Sequence, residues 1–337
     1  MAAGPRAASC GTSRTSFRPS MNVFITDHGF PHVDREREII TQTGAKLHVA
    51  QCKTAEDVIA ECGEADALLV QWAPVTSEVV AHLNQCRIIV RYGIGVDNID
   101  LQAATARNIP VCNVPDYCID EVSDHSLALA LSLTRRLPQT DALVRQGTWK
   151  ITPPTSFPAF RDTVFATAGF GRIARAVLER ARGFGFQLAA YDPLVPTEKF
   201  AALGVKQLQL EELFQEAGIL SLHLPLTTQT RHFIDRTRLS RMRNDAVLVN
   251  TARGGLIDTE ALTEALAQGG IAGAGLDVFE TEPLLGDHPL RDVPNTILTS
   301  HTAWYSGGSV PELQRKAAEE IVRGLAGLAL SHPVNRV

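Results

Sequence analysis

Short apolar runs alternate with helical segments along most of the chain. After Met21 the strand-like runs are NVFIT, KLHVA, ALLVQ, RIIVRY and IPVCNV, separated by segments with Glu, Ala and Leu at helical spacing. A second series starts at Thr163 with TVFATA, QLAAY, ILSLH, AVLVN, AGLDV and NTILTS. Because repeated strand–helix units form parallel sheets covered by helices on both faces, the pattern predicts an α/β chain with two doubly wound parallel-sheet domains. We expect ligands in the cleft between them, at the carboxyl ends of the strands.

A long helical segment separates the two series. Helical spacing runs through residues 120–136, is stopped by Pro138, and resumes in a second piece that reaches about Gly147. A proline-broken linker follows at 148–162, and the chain ends in a predicted long helix at 310–330. The first piece is apolar on nearly all sides and must be buried in a core or against a partner, because it carries Leu127, Leu129, Leu131 and Leu133.

Composition narrows the class of protein. The 337 residues suffice for two domains, and 45% hydrophobic with 20% charged residues is typical of a soluble globular chain. A net charge of −5 without a Lys/Arg cluster argues against nucleic-acid binding, and no apolar run reaches the roughly 20 residues of a membrane span.

Residues 1–20 hold three Arg, four Ser and no acid, as transit peptides do, but glycines and prolines would interrupt an amphipathic helix. We expect a disordered tail or an alternative start at Met21.

The cysteine pattern indicates neither a metal nor a disulfide framework. All six cysteines fall within the first 118 residues, with no C-x-x-C pair and no nearby His at ligand spacing. Reduced thiols in a cytoplasmic protein are the expected state.

The segment ATAGFGRIARA at 166–176 raises the question of a dinucleotide site, because Gly169 and Gly171 are followed by Ala174 where a third glycine completes the motif. Taken alone, the motif is equally consistent with an ordinary glycine-rich turn. Its context favours the site, since a strand candidate precedes it and a helix with one apolar face follows it. Gly169 permits a tight turn, and Gly171 lets backbone amides approach a pyrophosphate.

The acid expected to bind the ribose is Asp192. It lies 21 residues after Gly171, at the end of the next strand candidate, close to the roughly 20 of the motif. A carboxylate there accepts hydrogen bonds from a free 2′ hydroxyl and repels a 2′ phosphate, and no Arg or Lys lies between Asp192 and Thr197. The sequence therefore predicts NAD rather than NADP. The alternative is an aspartate that only caps the turn before Pro193.

Three later strand ends carry residues suited to hydride transfer on a 2-oxo or 2-hydroxy acid. Arg253 follows AVLVN, and an Arg can hold a carboxylate bidentately. His301 follows the last strand and can serve as acid and base, with a nearby carboxylate to orient it. Taken singly, Arg253 could be a surface ion-pair residue and His301 a buried histidine of the core.

Together these residues mark a family. From Met21 to about Pro333 the chain resembles the D-isomer-specific 2-hydroxyacid dehydrogenases through GFGRIA…YDP, SLHLPLTTQT, LVNTARGGLID, AGAGLDVFETEP and TSHTAWYS, in family order and spacing. VRYGIGVDNIDLQAA, VCNVPDYCIDEVSDH and HTAWYSGGS are most similar to the C-terminal-binding-protein branch and its bacterial relatives. The resemblance implies a flavodoxin-like substrate domain at 21–117 plus 302–337. It also implies a Rossmann cofactor domain at 118–301 that includes a dimer arm at 120–150, and hence a homodimer that buries the apolar helix.

The resemblance also assigns residues. It implies that Arg253 binds the substrate carboxylate and carbonyl and that Glu282 pairs with the acid/base His301. Other implied cofactor contacts are Ile94, Gly169, Gly171, Arg172, Ile173, Asp192, His223, Leu224, Pro225, Thr230, Thr251, Ala252, Asp277 and Ala303. Implied substrate contacts are Gln71, the backbone amides of Tyr92, Gly93 and Ile94, and Trp304. Gln71 replaces the phosphate-binding arginine of phosphoglycerate-oxidising members, and Trp304 suggests a substrate with an apolar or bulky side chain.

The strand before the glycine motif departs from the family. Ala166 stands where glycine is usual, and Thr167 puts a hydroxyl where a branched aliphatic side chain is normal. Burying that hydroxyl without a partner would cost on the order of 1–3 kcal/mol. We therefore expect a somewhat looser cofactor domain.

The predicted function is an NAD-dependent oxidoreductase that interconverts a 2-oxo acid and a D-2-hydroxy acid. The alternative is an NAD(H)-gated binding protein similar to the corepressors of the same branch, in which the nucleotide mainly sets an assembly state. Because that branch retains Arg253, Glu282 and His301, these three residues do not separate the two functions.

Overall fold

A computed structural model describes residues 21–149 and 158–337. The expectations for the tail at 1–20, and for most of the linker at 148–162, concern residues outside this range. The chain divides into two units. Unit 1 comprises Met1–Tyr117, described from Met21 onward, and Val310–Val337, while unit 2 comprises Cys118–Ser309.

Unit 1 contains a five-stranded parallel sheet. Its strands are β1 (Asn22–Ile25), β2 (Lys46–Val49), β3 (Ala67–Val70), β4 (Ile88–Arg91) and β5 (Val111–Cys112), in the order β2-β1-β3-β4-β5. This is the flavodoxin-like order, as predicted. The helices between the strands are α1 (Asp34–Thr41), α2 (Ala55–Cys62), α3 (Ser77–His82) and α4 (Leu101–Ala106).

Unit 2 contains a seven-stranded parallel sheet in the doubly wound order of a Rossmann domain. Its strands are β6 (Val164–Ala168), β7 (Gln187–Tyr191), β8 (Lys206–Gln207), β9 (Ile219–Leu222), β10 (Val247–Asn250), β11 (Gly273–Leu276) and β12 (Thr296–Leu298). The order is β12-β11-β10-β9-β6-β7-β8, so the winding reverses between β6 and β9. Ligands of such sheets bind at the carboxyl ends of the strands beside that reversal.

The helices of unit 2 cover both faces of its sheet. They are α5 (Ile119–Thr134), α6 (Leu137–Arg145), α7 (Arg172–Gly183), α8 (Thr197–Ala201), α9 (Leu210–Glu216), α10 (Arg236–Leu239) and α11 (Thr259–Ala267). Alternate residues of β6 enter two different apolar clusters, with Ala166 and Ala168 in one and Phe165 in the other. The alternation follows from the two-residue period of a strand that is buried on both faces.

The last helix, α12 (Ser309–Leu325), packs on the sheet of unit 1. At Gly324 an added Cβ would lie 2.4 Å from Ile88 Cδ1, so the glycine allows the helix to approach β4 closely. The segment after α12 then pairs with β5 through a bridge between Cys112 and Pro333.

Helix α5 packs its leucine side chains into the core of unit 2. Leu127, Leu129 and Leu133 are at most 7% exposed and join the apolar cluster that contains β9 and β10 residues. Unit 2 therefore buries these three leucines by itself, so their burial requires no partner subunit, and the homodimer stays a prediction. Pro138 lies in the first turn of α6, where a missing N–H costs little.

The Thr167 hydroxyl has a partner. It donates to the carbonyl oxygen of Gly169 at 2.8 Å, inside the turn that it precedes. The expected free-energy cost of an unpaired buried hydroxyl does not arise, because this hydrogen bond satisfies the hydroxyl. Thr167 therefore gives no reason to expect a looser domain.

Candidate active site

The turn after β6 requires glycine at its first position. Gly169 has φ +99°, and a Cβ there would lie 2.5 Å from the backbone oxygen of His223, which follows β9. Its N–H donates to Tyr191 O at 2.7 Å. The turn is therefore held between the ends of β7 and β9, where only a residue without a side chain fits.

Gly171, at the start of α7, leaves space for a ligand. A Cβ at this position would meet no atom within 4 Å, and α7 has no side-chain cap and no acidic residue in its first turn. The first N–H groups of a helix attract anions, and Arg172 and Ile173 occupy this first turn. These features fit the pyrophosphate of a dinucleotide.

Asp192 is fixed beside the glycine turn. Its Oδ2 accepts a hydrogen bond from Phe170 N at 2.9 Å, and its Oδ1 accepts one from Leu194 N at 3.0 Å. The residue therefore caps its own turn, as the alternative interpretation held, and also contacts the glycine motif. Since each carboxylate oxygen has two acceptor positions, both oxygens keep capacity for ribose hydroxyls.

The loop after β9 brings another predicted contact to the turn. Burial lowers the pKa of His223 to about 3, so the ring is neutral, and its Nε2 lies 2.9 Å from Ser221 Oγ. Leu224 and Pro225 follow directly, and Thr230 Oγ1 donates to Pro225 O at 2.6 Å. Hydrogen bonds of the Ser221 and Thr230 side chains therefore stabilise this loop.

A buried asparagine that the sequence interpretation missed shapes the Arg253 turn. Asn250, at the end of β10, accepts from Ala252 N at 3.0 Å and donates through Nδ2 to Arg253 O at 2.9 Å. The sequence did contain a sign of this residue's role, since Asn250 is the one polar residue in the otherwise apolar strand β10. Gly254 completes the turn, because a Cβ there would lie 1.9 Å from the backbone of Phe279.

Asp277 organises the loop that carries His301. Its fully buried carboxylate accepts from Thr302 N and Ala303 N, each at 2.9 Å, and from Thr299 Oγ1 at 2.5 Å. Its backbone oxygen accepts from His301 N at 2.7 Å. Both carboxylate oxygens of Asp277 thus bond to this loop. The sequence predicted Asp277 only as a cofactor contact and did not predict this support of the loop.

His301 and Glu282 form a pair. The Nδ1 atom of His301 lies 2.7 Å from Glu282 Oε2, and Glu282 Oε1 accepts from Phe279 N at 3.0 Å. Burial by itself would raise the pKa of Glu282, but the hydrogen bond and charge of His301, the Phe279 N–H and the charge of Arg253 together lower it. Glu282 is therefore a carboxylate, and Nδ1 of His301 is the donor of the pair.

The predicted substrate residues Gln71 and Tyr92 of unit 1 are buried. Gln71 is 3% exposed, and its Oε1 accepts from Gly29 N at 2.9 Å. Tyr92 donates its hydroxyl to Glu36 at 2.9 Å, and burial raises its pKa. The N–H groups of Tyr92 and Gly93 donate to Val70 O at 2.8 Å and Arg91 O at 2.9 Å, which corrects the expectation that the whole loop offers amides to a substrate.

Two other predicted substrate or cofactor contacts, Ile94 and Trp304, make hydrogen bonds within their own units. The carbonyl oxygen of Ile94 accepts from Asn113 Nδ2 at 2.6 Å within unit 1. In unit 2, Trp304 is half-buried with its ring centroid 5.6 Å from that of Tyr305, and its carbonyl accepts from Ser309 Oγ at 2.7 Å.

Across residues 21–149 and 158–337, no group of three or more His, Cys, Asp or Glu is placed to hold a metal ion. Within the same residues no helix is both long and apolar enough to cross a membrane. The five cysteines described there are buried and free.

Comparisons with known proteins agree with this geometry. The sequence model described as "D-isomer specific 2-hydroxyacid dehydrogenase, NAD binding domain" matches residues 127–303, within unit 2. D-3-phosphoglycerate dehydrogenase of Mycobacterium bovis is 39% identical over 285 residues, covering 83% of this chain and 53% of that protein. Glyoxylate reductase of Korarchaeum cryptofilum is 38% identical over 267 residues, covering 78% of this chain and 80% of that protein.

A solved structure extends the similarity to both units. D-lactate dehydrogenase from Aquifex aeolicus, complexed with NAD and lactic acid, has a TM-score of 0.82 and 26% identity, covering 91% of this chain and 96% of that one. The present chain spans about half the length of the curated phosphoglycerate dehydrogenases that it matches. It contains the NAD-binding domain of these proteins, and it belongs to the D-isomer-specific 2-hydroxyacid dehydrogenase family.

Proposed function

We propose that this protein is an NAD-dependent oxidoreductase that interconverts a 2-oxo acid and the corresponding D-2-hydroxy acid. The observation that carries the proposal is the 2.7 Å contact between His301 Nδ1 and Glu282 Oε2, in the unit that also holds the glycine turn. A histidine paired with a carboxylate can give and take a proton near neutral pH, as reduction of a carbonyl requires.

In this proposal Arg253 binds the substrate carboxylate and polarises the carbonyl. Its planar guanidinium can form two parallel hydrogen bonds with a carboxylate. Its charge also stabilises the negative charge that develops on the carbonyl oxygen during reduction. The support is the rigid turn from which it projects, fixed by both ends of the Asn250 amide.

His301 transfers the proton at the substrate oxygen. Because Glu282 holds Nδ1, Nε2 is the nitrogen left for the substrate. In reduction Nε2–H donates its proton to the alkoxide that forms at C2, and in oxidation the neutral nitrogen accepts that proton. Glu282 keeps its charge, since its pKa is lowered, and so stabilises the protonated ring.

When bound, NADH supplies the hydride that reduces C2. The residues proposed to hold it are Gly169, Gly171 and the first turn of α7 for the pyrophosphate and Asp192 for the ribose. Asp277 acts through the loop that it holds. The further proposed contacts are Ile94, His223, Leu224, Pro225, Thr230, Thr251, Ala252 and Ala303.

We propose a 2-oxo acid that has an apolar or bulky side chain and no phosphate group as the substrate. Gln71 carries no charge, and its Oε1 is already bonded to Gly29 N, so it provides no cation to balance a phosphate. Trp304 adds aromatic surface three residues after His301, which favours an apolar side chain on the acid.

The proposed assembly is a homodimer formed through α6, in a reducing cytoplasm. Helix α6 buries none of its residues, and it exposes Leu137 and Val144, each 54% accessible. The buried free cysteines fit a reducing compartment.

The test is NADH consumption with a panel of 2-oxo acids, including glyoxylate, pyruvate, larger apolar 2-oxo acids and 3-phosphohydroxypyruvate. We expect turnover of an apolar acid and little turnover of the phosphorylated one. NADH binding without turnover of any acid would overturn the proposal in favour of the nucleotide-gated binding protein. Preferred turnover of the phosphorylated acid would reject only the substrate class.

A further inference from the structure

Two consecutive polar residues on α5 bond to the two loops that carry Arg253 and His301. They are His125 and Ser126, and both lie in unit 2 with those loops. Ser126 is fully buried, and His125 is partly buried. Buried polar groups in proteins are nearly always hydrogen-bonded, and both of these residues have partners in the site loops.

Ser126 holds the loop after β10. Its hydroxyl donates to Val122 O at 2.7 Å and lies 2.7 Å from Thr251 Oγ1. A serine hydroxyl has a single proton. Because that proton goes to Val122 O, Thr251 is the donor in the second bond, which fixes the side chain of Thr251 two residues before Arg253.

His125 holds the loop after β12 in a similar way. Its Nε2 lies 3.0 Å from Thr299 Oγ1, and the Thr299 hydroxyl donates to Asp277 at 2.5 Å. Thr299 must therefore accept from His125, so Nε2 carries a proton. The connection continues through Asp277, whose carbonyl accepts from His301 N and whose carboxylate accepts from Thr302 N and Ala303 N.

The helix that carries both residues is seated firmly on the sheet. A Cβ at Gly275 of β11 would lie 2.9 Å from Leu129 Cβ, and one at Gly273 would lie 3.3 Å from Leu133 Cδ2. The two glycines let α5 approach the sheet more closely than side chains would allow. One turn before His125, Glu121 accepts from Ser306 Oγ at 2.6 Å and ties the far side of the His301 loop to the same helix.

We propose that His125 and Ser126 are positioning residues that fix the His301 loop and the Arg253 loop relative to each other through α5. The inference rests on the proposed function for its catalytic meaning. Its structural content, that α5 holds both loops, can be measured without turnover.

The first test is kinetic. His125→Phe removes the N–H donor but keeps a planar ring, and His125→Gln restores an N–H donor. Since a misplacement of about 1 Å can cost about a hundredfold in rate, we expect His125→Phe to lower kcat at least about tenfold with a smaller change in KM. His125→Gln should recover most of that loss. Thr299→Ser and Thr299→Val repeat the comparison at the next residue, should the ring substitution prevent folding.

For Ser126 the matched control is Thr134→Ala. Both positions are buried on α5, and each hydroxyl donates to the carbonyl four residues earlier, Val122 for Ser126 and Ala130 for Thr134. Of the two, Ser126 contacts a loop of the site. We expect Ser126→Ala to raise KM for the 2-oxo acid, because Arg253 holds its carboxylate, while Thr134→Ala leaves kinetics unchanged.

The second test is amide hydrogen exchange followed by mass spectrometry on the full chain. In His125→Phe the amides of Thr302 and Ala303 should exchange faster, because their acceptor Asp277 loses its support, whereas Thr134→Ala should leave them unchanged. Unchanged exchange in His125→Phe, or equal kinetic losses for the Phe and Gln variants, would overturn the inference. Faster exchange in a protein that reduces no 2-oxo acid would leave the inference standing and reject the proposed function.

Discussion

His301 Nδ1 and Glu282 Oε2 lie 2.7 Å apart, and the histidine that makes this contact has a left-handed backbone with φ +55°. A non-glycine residue in that region is strained and persists when its surroundings fix it. Here the backbone of His301 is fixed by its N–H bond to Asp277 O at 2.7 Å, and its ring is fixed by Glu282. The ring orientation is therefore set from two sides.

Replacing His301 with Ala should abolish most turnover while NADH binding changes little. The imidazole acts on the substrate proton in the proposed reaction, and acid–base catalysis contributes about a hundred- to ten-thousandfold. The measurements are kcat with the best 2-oxo acid and NADH affinity by fluorescence. Full activity in this variant would reject the assignment of His301.

Replacing Glu282 with Gln should shift the pH optimum of reduction to lower pH. Because the pKa of Glu282 is lowered, it is ionised at neutral pH, so its own titration does not shape the profile there. Without its charge the imidazolium is less stabilised and loses its proton at lower pH. The amide still offers an acceptor to Nδ1, so the variant isolates charge from geometry. The same pH profile in both proteins would show that the pair is not used in the reaction.

The native protein should prefer NADH to NADPH by about a hundredfold in kcat/KM, or about 2.7 kcal/mol. Two like charges about 4 Å apart at an effective dielectric near 20 repel by roughly 4 kcal/mol, which solvent reduces. Asp192 is suited to this discrimination because two backbone N–H groups hold its carboxylate in place.

Two variants separate the contributions to that preference. Asp192→Ala should narrow the preference mainly by weakening the binding of NADH. Leu194→Arg should strengthen the binding of NADPH, since position 194 is 90% exposed and can carry a cation. Equal kcat/KM values for the two cofactors in the native protein would show that Asp192 does not face the ribose.

Two glycine variants should separate folding from cofactor binding. Gly169→Ala forces a Cβ against His223 O at a positive φ, so both thermal stability and NADH affinity should fall, with a strain of about 1–3 kcal/mol. Gly171→Ala meets no protein atom and has φ −73°, so stability should hold while NADH affinity falls as the methyl enters the pyrophosphate space. Unchanged NADH affinity in Gly171→Ala would place the cofactor elsewhere.

Light scattering at micromolar concentration should give twice the chain mass. Introducing Glu at both Leu137 and Val144 should produce monomers if α6 forms the interface, because charge would enter an apolar contact. Glu at Leu328, which is 55% exposed in unit 1, is the control and should leave the mass unchanged. A monomeric native protein would reject the proposed homodimer.

The sequence by itself determined the type and approximate bounds of most elements, because strands buried on both faces and amphipathic helices leave strong periodic signals. The helix with one apolar face that the sequence predicts after the glycine motif is α7, whose buried residues are Ala174, Val177, Leu178 and Ala181. Strand β8 escaped prediction, since Lys206–Gln207 is a two-residue polar edge strand with no period to detect.

Tertiary structure alone decided where polar groups find their partners. It gave Thr167 an acceptor in Gly169, packed α5 against glycines of β11, and placed Asp277 where it supports the His301 loop. None of these could be read from spacing, because a hydrogen bond depends on angstrom-scale contact between segments far apart in the chain. The pattern of residues predicted which strand ends carry chemistry, and the packing of α5 and the loops fixed how their side chains are held.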